Sequence, residues 1–443
     1  MSARDQTMTG AGTGAATPAS ATSPASPATP AGAAKPAGGW GTGGLSTEAA
    51  RLRRRFPAVA DLAAQARRRT PRFAYDFVAG GVNDDLGLAR NRRALDAIEI
   101  VPRYGLDVRS VTTETTLFGR GYALPVGVAP MGLAGLLWPD ADESIARAAQ
   151  RARIPYVMST VANTSIERIA AIAPDVFWYQ LYNVPENDHA VSLDLIRRAQ
   201  AAGAHALVLT MDVPVRSKRV RDVRNGLVVP FRPTLRTAWD VARAPGWALA
   251  MLRKGQPRFR NFEAYLGPDA STADLASFVF QKMTGPLTWE SVARFRDAWT
   301  GPLIVKGILH PDDAETAVAL GADGILVSNH GGRQFDAAPA TASALPAIVE
   351  RVGGRATVLV DGSISSGLDL LRVLGRGAVS AFAGRAFLMA YAAAGEDGVD
   401  HVVRLFTEEL RVALAQSGAA ALGVTLGAAP GGAGGPTGPH HHP

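Results

Sequence analysis

The sequence predicts an α/β protein built as a closed (β/α)8 TIM barrel, and two observations predict it. The first is a rhythm of eight short apolar runs, at residues 125–130, 154–160, 175–182, 206–212, 303–307, 324–329, 357–362 and 378–385. Runs this short, bounded by Gly, Pro or Asp, read as strands buried on both faces of a parallel sheet. The second is the helix-like stretches between them, near 140–152, 164–173, 189–202, 289–299, 312–320, 341–351 and 366–375, with a last one near 395–416. Eight strands alternating with eight helices is the barrel pattern. Asp140 and Asp312 stand where helix N-caps are expected. A doubly wound open sheet would need fewer strands, and no glycine-rich dinucleotide turn follows the first run.

The flanks read differently. Residues 1–45 are Ala, Pro, Ser, Thr and Gly with almost no large apolar side chains, and residues 425–443 are Gly-rich and end in His440-His441-His442-Pro443. Neither segment can bury enough surface to offset its ordering entropy, so both are expected to be disordered around a domain spanning 46–424. Within that domain the first 25 residues, 46–70, are helical and basic, and Pro71 to Gly81 reads as a short helix closed by its glycines. Two apolar stretches near 98–102 and 115–118 are expected to pair as a hairpin or a barrel plug.

One connection breaks the rhythm. Residues 213–288 lie where a βα loop needs only a few residues. Residues 213–260 hold twelve Lys or Arg and two acidic residues, a net +10, against +7 for the whole chain. The basic excess therefore resides in this insertion. Its stretch 237–254 mixes tryptophans, aliphatics and terminal cations, a composition suited to a membrane surface, an active-site lid or a subunit contact. Nucleic acid is not an expected partner, because the cations are not spread over a recognisable binding fold.

Composition removes several chemistries. The chain has no cysteine, which excludes disulfides, thiolate nucleophiles and zinc–cysteine sites. That usage fits a cytoplasmic protein. The three tail histidines read as solvated, so no metal is expected. No apolar run reaches the roughly 18 residues of a membrane span, and the N-terminus lacks a signal-peptide core. Arg51 to Arg55 lie too deep for a twin-arginine signal and read as a basic helix start.

In a (β/α)8 barrel, chemistry sits at the C-terminal ends of the strands. Read in order, those ends are Pro130-Met131-Gly132, Ser159-Thr160, Gln180-Leu181-Tyr182, Thr210-Met211-Asp212, Lys306-Gly307, Ser328-Asn329-His330, Asp361-Gly362-Ser363 and Gly384-Arg385. Gln, Thr, Ser and Lys suit the polar edge of a flat heterocycle, and a lysine stabilises a ring that becomes anionic on reduction. Gly362 and Gly384-Arg385, after the last two strands, fall where such barrels commonly hold phosphate. Of the eight histidines, only His330 ends a buried strand. His189, His205, His310 and His401 sit at helical or pre-strand positions of structural character. Asp212 can hold the His330 imidazole and stabilise its protonated form. Arg333, three residues past His330, and Arg219 in the insertion can grip a carboxylate. A base beside an anion anchor suits proton abstraction next to a carboxylate.

The run Ser328-Asn329-His330-Gly331-Gly332-Arg333-Gln334-Phe335-Asp336 resembles the signature of the FMN-dependent L-2-hydroxy-acid oxidases and dehydrogenases, the family of glycolate oxidase, L-lactate dehydrogenase and (S)-mandelate dehydrogenase. Supporting pieces are Tyr179-Gln180-Leu181-Tyr182, Leu209-Thr210-Met211-Asp212, Val305-Lys306-Gly307 and Gly384-Arg385, and the likeness spans about residues 50–425. The resemblance implies that His330 is the base, Asp212 its partner, Arg219 with Arg333 the carboxylate clamp, and Tyr182 the group on the substrate hydroxyl. It implies FMN as cofactor, with Lys306 at the flavin N1–O2 edge. Pro130, Met131, Gly132, Ser159, Gln180, Thr210 and Ser328 would line the flavin, and Asp361, Gly362, Ser363, Gly384 and Arg385 would reach its ribityl and phosphate. Two positions depart from the pattern. Phe77 stands where a carboxylate-binding tyrosine is usual, and Ser365 replaces an arginine after the seventh strand. The long basic insertion, the Ala129-Pro130-Met131-Gly132 turn and Trp138-Pro139 look most like the membrane-associated lactate or mandelate dehydrogenase branch. That branch implies a quinone or other carrier as acceptor, a peripheral place on the inner face of the cell membrane, and a homo-oligomer, a tetramer in the family. Oxygen as acceptor, isomerisation on the same barrel, and a non-catalytic flavin-binding or membrane-scaffold role are the alternatives. The N-terminal region has no histidine, and so no haem domain is expected before the barrel.

Overall fold

A computed structural model describes residues 46–227, 234–267, 269–282 and 285–422. The two tails expected to be disordered lie outside the described residues. Eight strands, Val126–Val128, Tyr156–Ser159, Phe177–Leu181, Leu207–Thr210, Leu303–Ile308, Gly324–Val327, Thr357–Asp361 and Ser380–Ala383, pair in parallel in chain order, and the eighth closes on the first. All eight predicted runs form the barrel. Their residues are buried almost throughout because both sheet faces are covered, the inner by barrel side chains and the outer by helices.

A hairpin closes the N-terminal end. Its strands are Thr115–Leu117 and Arg120–Tyr122, joined by Phe118 at φ +50° and Gly119 at φ +80°. Two positive φ values make the tight turn whose twist matches the strands. The expected pairing of 115–118 with 98–102 is therefore wrong, since the partner is the next chain segment. Phe118 and Phe382 pack edge-on or tilted against Trp178 at 5.7 and 5.6 Å, and the Trp178 indole N–H donates to Tyr122 Oη at 3.0 Å.

The basic stretch 46–70 is helical as expected, in two helices, Thr47–Arg55 and Val59–Arg69, because Pro57 keeps Phe56 out of helical geometry. Three expectations about helices need correcting. Asp140 occupies the N-cap position at φ +60° without capping; its carboxylate instead pairs with Lys254 at 2.8 Å. Asp312 lies in the first turn of Pro311–Ala319, and the cap is His310, whose Nδ1 accepts the Asp312 N–H at 3.1 Å. The last helix runs Arg385–Ser417 and starts ten residues before its expected position, with a break at Ala394 and Gly395.

The insertion is a helical excursion. It contains Val220–Arg224, Leu235–Ala242, Pro245–Lys254, Glu263–Leu266 and Thr272–Lys282. Trp247 packs edge-on against Phe73 of the helix Arg72–Ala79 at 5.7 Å, forming a small apolar cluster apart from the main core.

Candidate active site

The sixth strand, Gly324–Val327, delivers Ser328, Asn329 and His330 to the barrel mouth. His330, Gly331 and Gly332 all have left-handed backbones, with φ +57°, +61° and +74°. Glycine adopts this freely, but a histidine there carries strain of about 1–3 kcal/mol that the surroundings must hold. The His330 N–H donates to Ser328 Oγ at 3.0 Å. Its ring Nδ1 lies 2.9 Å from Asp212 Oδ1, and its Nε2 lies 3.2 Å from Tyr182 Oη. A carboxylate on Nδ1 fixes the proton there and leaves Nε2 free to accept.

Asp212 reaches the ring because of Gly307. A side chain at Gly307, which has φ +101°, would begin 2.7 Å from Asp212 Cβ. Lys306, 3% exposed, donates to Ser328 Oγ at 2.9 Å and lies 3.8 Å from Asp212 and 3.5 Å from Asp361. Burial pushes the Asp212 carboxyl up, but Lys306 and His330 outweigh it and hold it below its ordinary value. Burial lowers Lys306, yet Asp212 and Asp361 hold it raised and charged. Burial depresses His330, and Lys306 adds to this against the pull of Asp212, so the imidazole is neutral at neutral pH. Burial pushes the Tyr182 phenol up to about 12, which keeps it a hydrogen-bond donor.

A polar rim runs along the second, third and fourth strand ends. Ser159 Oγ donates to Gln180 Oε1 at 3.1 Å, and Gln180 Nε2 donates to Thr210 Oγ1 at 2.9 Å. Opposite, Gly362 and Ser363 turn with φ +111° and +61°, and Gly384 precedes the N-terminus of Arg385–Ser417. Met131 lies 3.4 Å from where a Gly384 side chain would begin, so the turns of the first and eighth strands meet. Asp212 Oδ2 and Asp361 Oδ1 are buried acceptors with no hydrogen-bond partner among the described residues. Such orphans mark a site built to meet further donors. A flavin supplies a ring N–H and ribityl hydroxyls, and the donor set on the rim suits its polar edge.

The cations form a second group. Arg219 and Arg333 lie 5.8 and 5.3 Å from the centre of the Phe77 ring. Arg333 donates to the Gly80 and Val78 carbonyls at 2.8 and 3.3 Å, and Arg385 donates to Val78, Gly80 and Gly331 carbonyls at 3.0, 3.1 and 3.0 Å. Burial, then Arg219 and Arg385, lowers Arg333 far below its ordinary value. Burial and Arg219 lower Arg385 to about 10. Crowded cations of this kind favour an anion between them.

The structure brings every predicted site residue to the barrel's C-terminal face. It also gives a role to Thr160, which the strand-end reading named without assigning one, and adds Arg92, which that reading missed. Thr160 Oγ1 donates to the Gln180 carbonyl at 2.6 Å and accepts the Tyr182 N–H at 2.9 Å. Arg92, from the helix Leu86–Asp96, reaches the turn where Ser365 replaces an arginine. It meets Ser363 O and Ser365 Oγ at 3.4 Å each and Asp369 at 2.7 Å. No local motif marks Arg92, which lies between two other arginines, Arg90 and Arg93. His401 and His205 bond backbone carbonyls of Phe56 and Leu117, in keeping with structural roles.

A (β/α)8 barrel whose mouth joins an Asp–His pair, a buried lysine and an amide-lined rim defines a flavin-dependent oxidoreductase. Comparison with known proteins makes the class specific. The model of the FMN-dependent dehydrogenase family matches residues 66–425. L-lactate dehydrogenase of Caulobacter vibrioides (strain NA1000 / CB15N) is 41% identical over 362 residues, covering 82% of this chain and 94% of that one. L-lactate dehydrogenase of Pseudomonas syringae pv. syringae is 38% identical over the same shares. Among solved structures, the monotopic membrane protein (S)-mandelate dehydrogenase superposes with TM-score 0.79 at 34% identity, covering 82% of this chain and 96% of that one. A mandelate oxidase superposes with TM-score 0.70 at 37% identity, covering 83% and 96%. The chain belongs to the FMN-dependent dehydrogenase family, and its cofactor is FMN.

Proposed function

We propose that this protein oxidises an (S)-2-hydroxy acid, L-lactate first, to the 2-oxo acid. The observation that carries the reading is the chain Asp212–His330–Tyr182, with contacts of 2.9 and 3.2 Å, set beside Arg219 and Arg333. The two arginines grip the substrate carboxylate. Tyr182, protonated, donates to the substrate oxygen. His330 takes one substrate proton on Nε2, and Asp212 stabilises the resulting imidazolium through Nδ1. Oxidation releases two electrons and a second proton, and FMN, when bound, would accept the electron pair together with that proton. Lys306, charged and buried between Asp212 and Asp361, would stabilise the negative charge that the flavin gains on reduction. Ser159, Gln180, Thr210, Ser328, Pro130, Met131 and Gly132 would hold the flavin ring, and Asp361, Gly362, Ser363, Gly384 and Arg385 its ribityl phosphate. Arg92 stands at the Ser365 turn, with its charge paired to Asp369 and Asp96. His330→Ala tests the base: it should keep FMN and lose substrate-driven reduction by orders of magnitude. Near-normal reduction would sink the assignment.

(S)-Mandelate is the second substrate reading. The similarity to the mandelate enzymes supports it; Gly132 does not, because a side chain there would begin 2.4 Å from Val161 and the space beside it is filled. For the acceptor we favour a quinone at a membrane surface over oxygen. No described helix is long and apolar enough to cross a membrane. The helices Leu235–Ala242 and Pro245–Lys254 nevertheless expose Leu235, Trp239 and Leu252 at 93, 64 and 83%, with Arg236, Arg243, Arg253 and Lys254 nearby. Apolar side chains among cations suit an anionic leaflet. This supports a peripheral place on the inner face of the membrane, and family likeness supports a homotetramer. The test is sedimentation with phosphatidylglycerol vesicles. Binding should fall with salt and with Trp239→Ser/Leu252→Ser; equal binding by that variant would remove the insertion from the contact. Hydrogen peroxide at each turnover would favour oxygen.

A further inference from the structure

Holding His330 in its left-handed conformation needs more than Ser328. We infer that Asn91, on the helix Leu86–Asp96 outside the barrel, is a positioning residue for the oxidation: paired amide to amide with Asn329, it fixes the turn that aims His330 at the substrate. The inference rests on the reading of His330 as the base.

The pairing is reciprocal. Asn91 Nδ2 donates to Asn329 Oδ1 at 2.8 Å, and Asn329 Nδ2 donates to Asn91 Oδ1 at 2.7 Å. Both residues are buried, at 1 and 4% exposure. The remaining partners dictate which way each amide faces. Asn329 Oδ1 accepts the Gly332 N–H at 3.2 Å, and Asn329 Nδ2 donates to the Pro339 carbonyl at 3.1 Å. Asn91 Oδ1 accepts the Thr341 N–H at 3.4 Å. Flipping either amide would set donor against donor and acceptor against acceptor.

The turn is thus gripped on both sides of His330. Before it, Ser328 Oγ takes the His330 N–H; after it, the side chain and carbonyl of Asn329 take the Gly332 N–H, at 3.2 and 3.0 Å. Helix Leu86–Asp96 cannot slide relative to this segment. The Gly87 N–H donates to Asp336 Oδ1 at 2.7 Å, and Arg90 donates to the Asp336 and Ala338 carbonyls at 2.6 and 2.8 Å. The same amide pair also underlies the seventh-strand turn: a side chain at Gly362 would begin 3.3 Å from Asn91 Nδ2. None of these contacts touches Arg219 or the polar rim, and the guanidinium of Arg333, next in the chain to Gly332, is held separately by the Gly80 and Val78 carbonyls. Loss of Asn91 should therefore disturb the aim of the imidazole and spare the carboxylate grip.

Asn91→Asp is the informative variant, since it keeps the shape but sets an oxygen against Asn329 Oδ1. Asn91→Ser is the second variant, should the buried charge prevent folding. Anaerobic stopped-flow against L-lactate gives the limiting rate of flavin reduction per bound FMN and the apparent substrate dissociation constant. The expected result is a limiting rate at least about tenfold lower, because small displacements of a reacting group cost this much or more, with substrate dissociation within about twofold of the parent. In a His330→Ala background the same substitution should cost nothing further. A limiting rate per bound FMN within about twofold of the parent in the folded variant would overturn the inference, as would a rate loss matched by equal loss of substrate affinity. If His330→Ala itself reduces FMN at the parental rate, the base reading fails instead.

Discussion

Phe77→Tyr should tighten substrate binding. The Arg333 and Arg219 guanidinium carbons lie over the Phe77 ring, 5.3 and 5.8 Å from its centre, so the ring stands beside both cations. A hydroxyl on that ring adds a neutral donor beside two cations. A hydrogen bond to a charged group contributes about 1.5–3 kcal/mol. The free enzyme's phenol would be hydrated, and part of the cation–π attraction, about 0.5–1 kcal/mol at such sites, is perturbed. The lower end of the range therefore applies, about 1.4 kcal/mol or tenfold. The limiting rate of flavin reduction should change little, since the added contact serves the carboxylate before and during reaction alike. The assay is the dependence of the anaerobic reduction rate on L-lactate concentration. An unchanged or raised half-saturation concentration in a folded, FMN-replete variant would refute the placing of the carboxylate between Arg219, Arg333 and Phe77.

Other predictions follow from the buried charges. Lys306→Met removes the cation between Asp212 and Asp361 and should lower the reduction rate per bound FMN by about 100-fold or more; a loss under tenfold in anaerobic stopped-flow would contradict its role. Because burial depresses His330, the reduction rate should hold steady below the ordinary imidazole value near 6.5 and fall only at lower pH; a pH profile falling already above neutrality would contradict this. Asp142, 5% exposed, is pushed by burial from 3.8 to about 6. A raised carboxyl favours the folded state while protonated and loses that contribution as pH climbs through about 6, roughly 3 kcal/mol for two units. Urea unfolding should therefore show the stability gap of Asp142→Asn over the parent widening by about that amount between pH 4 and 8; a constant gap would refute the burial argument.

Much of this was legible in the residues. The eight strands were visible because parallel strands covered on both faces must be apolar runs, and the barrel rule then turned their last residues into a site list. Ser159, Gln180, Thr210, Lys306, Ser328 and Asp361 met around one mouth because the closed sheet leaves them no other place. What stayed hidden depends on contacts between residues remote in the chain. Asn91 meets Asn329 across 238 positions, and Arg92 meets Asp369 across 277, so no local pattern could announce either. The hairpin at Phe118-Gly119 was misread because apolar content shows that two segments are buried without showing which pairs with which. The cap at Asp140 failed because its carboxylate found Lys254, and Asp312 is no cap because the helix already starts at Pro311 with His310 before it.

The most direct test of the account is anaerobic mixing of the FMN-loaded protein with L-lactate, D-lactate and (S)-mandelate, followed by flavin absorbance. The account predicts complete bleaching by L-lactate in a single turnover, no bleaching by D-lactate, and pyruvate formed in proportion to flavin. Flavin that stays oxidised with every 2-hydroxy acid, while remaining bound, would contradict it.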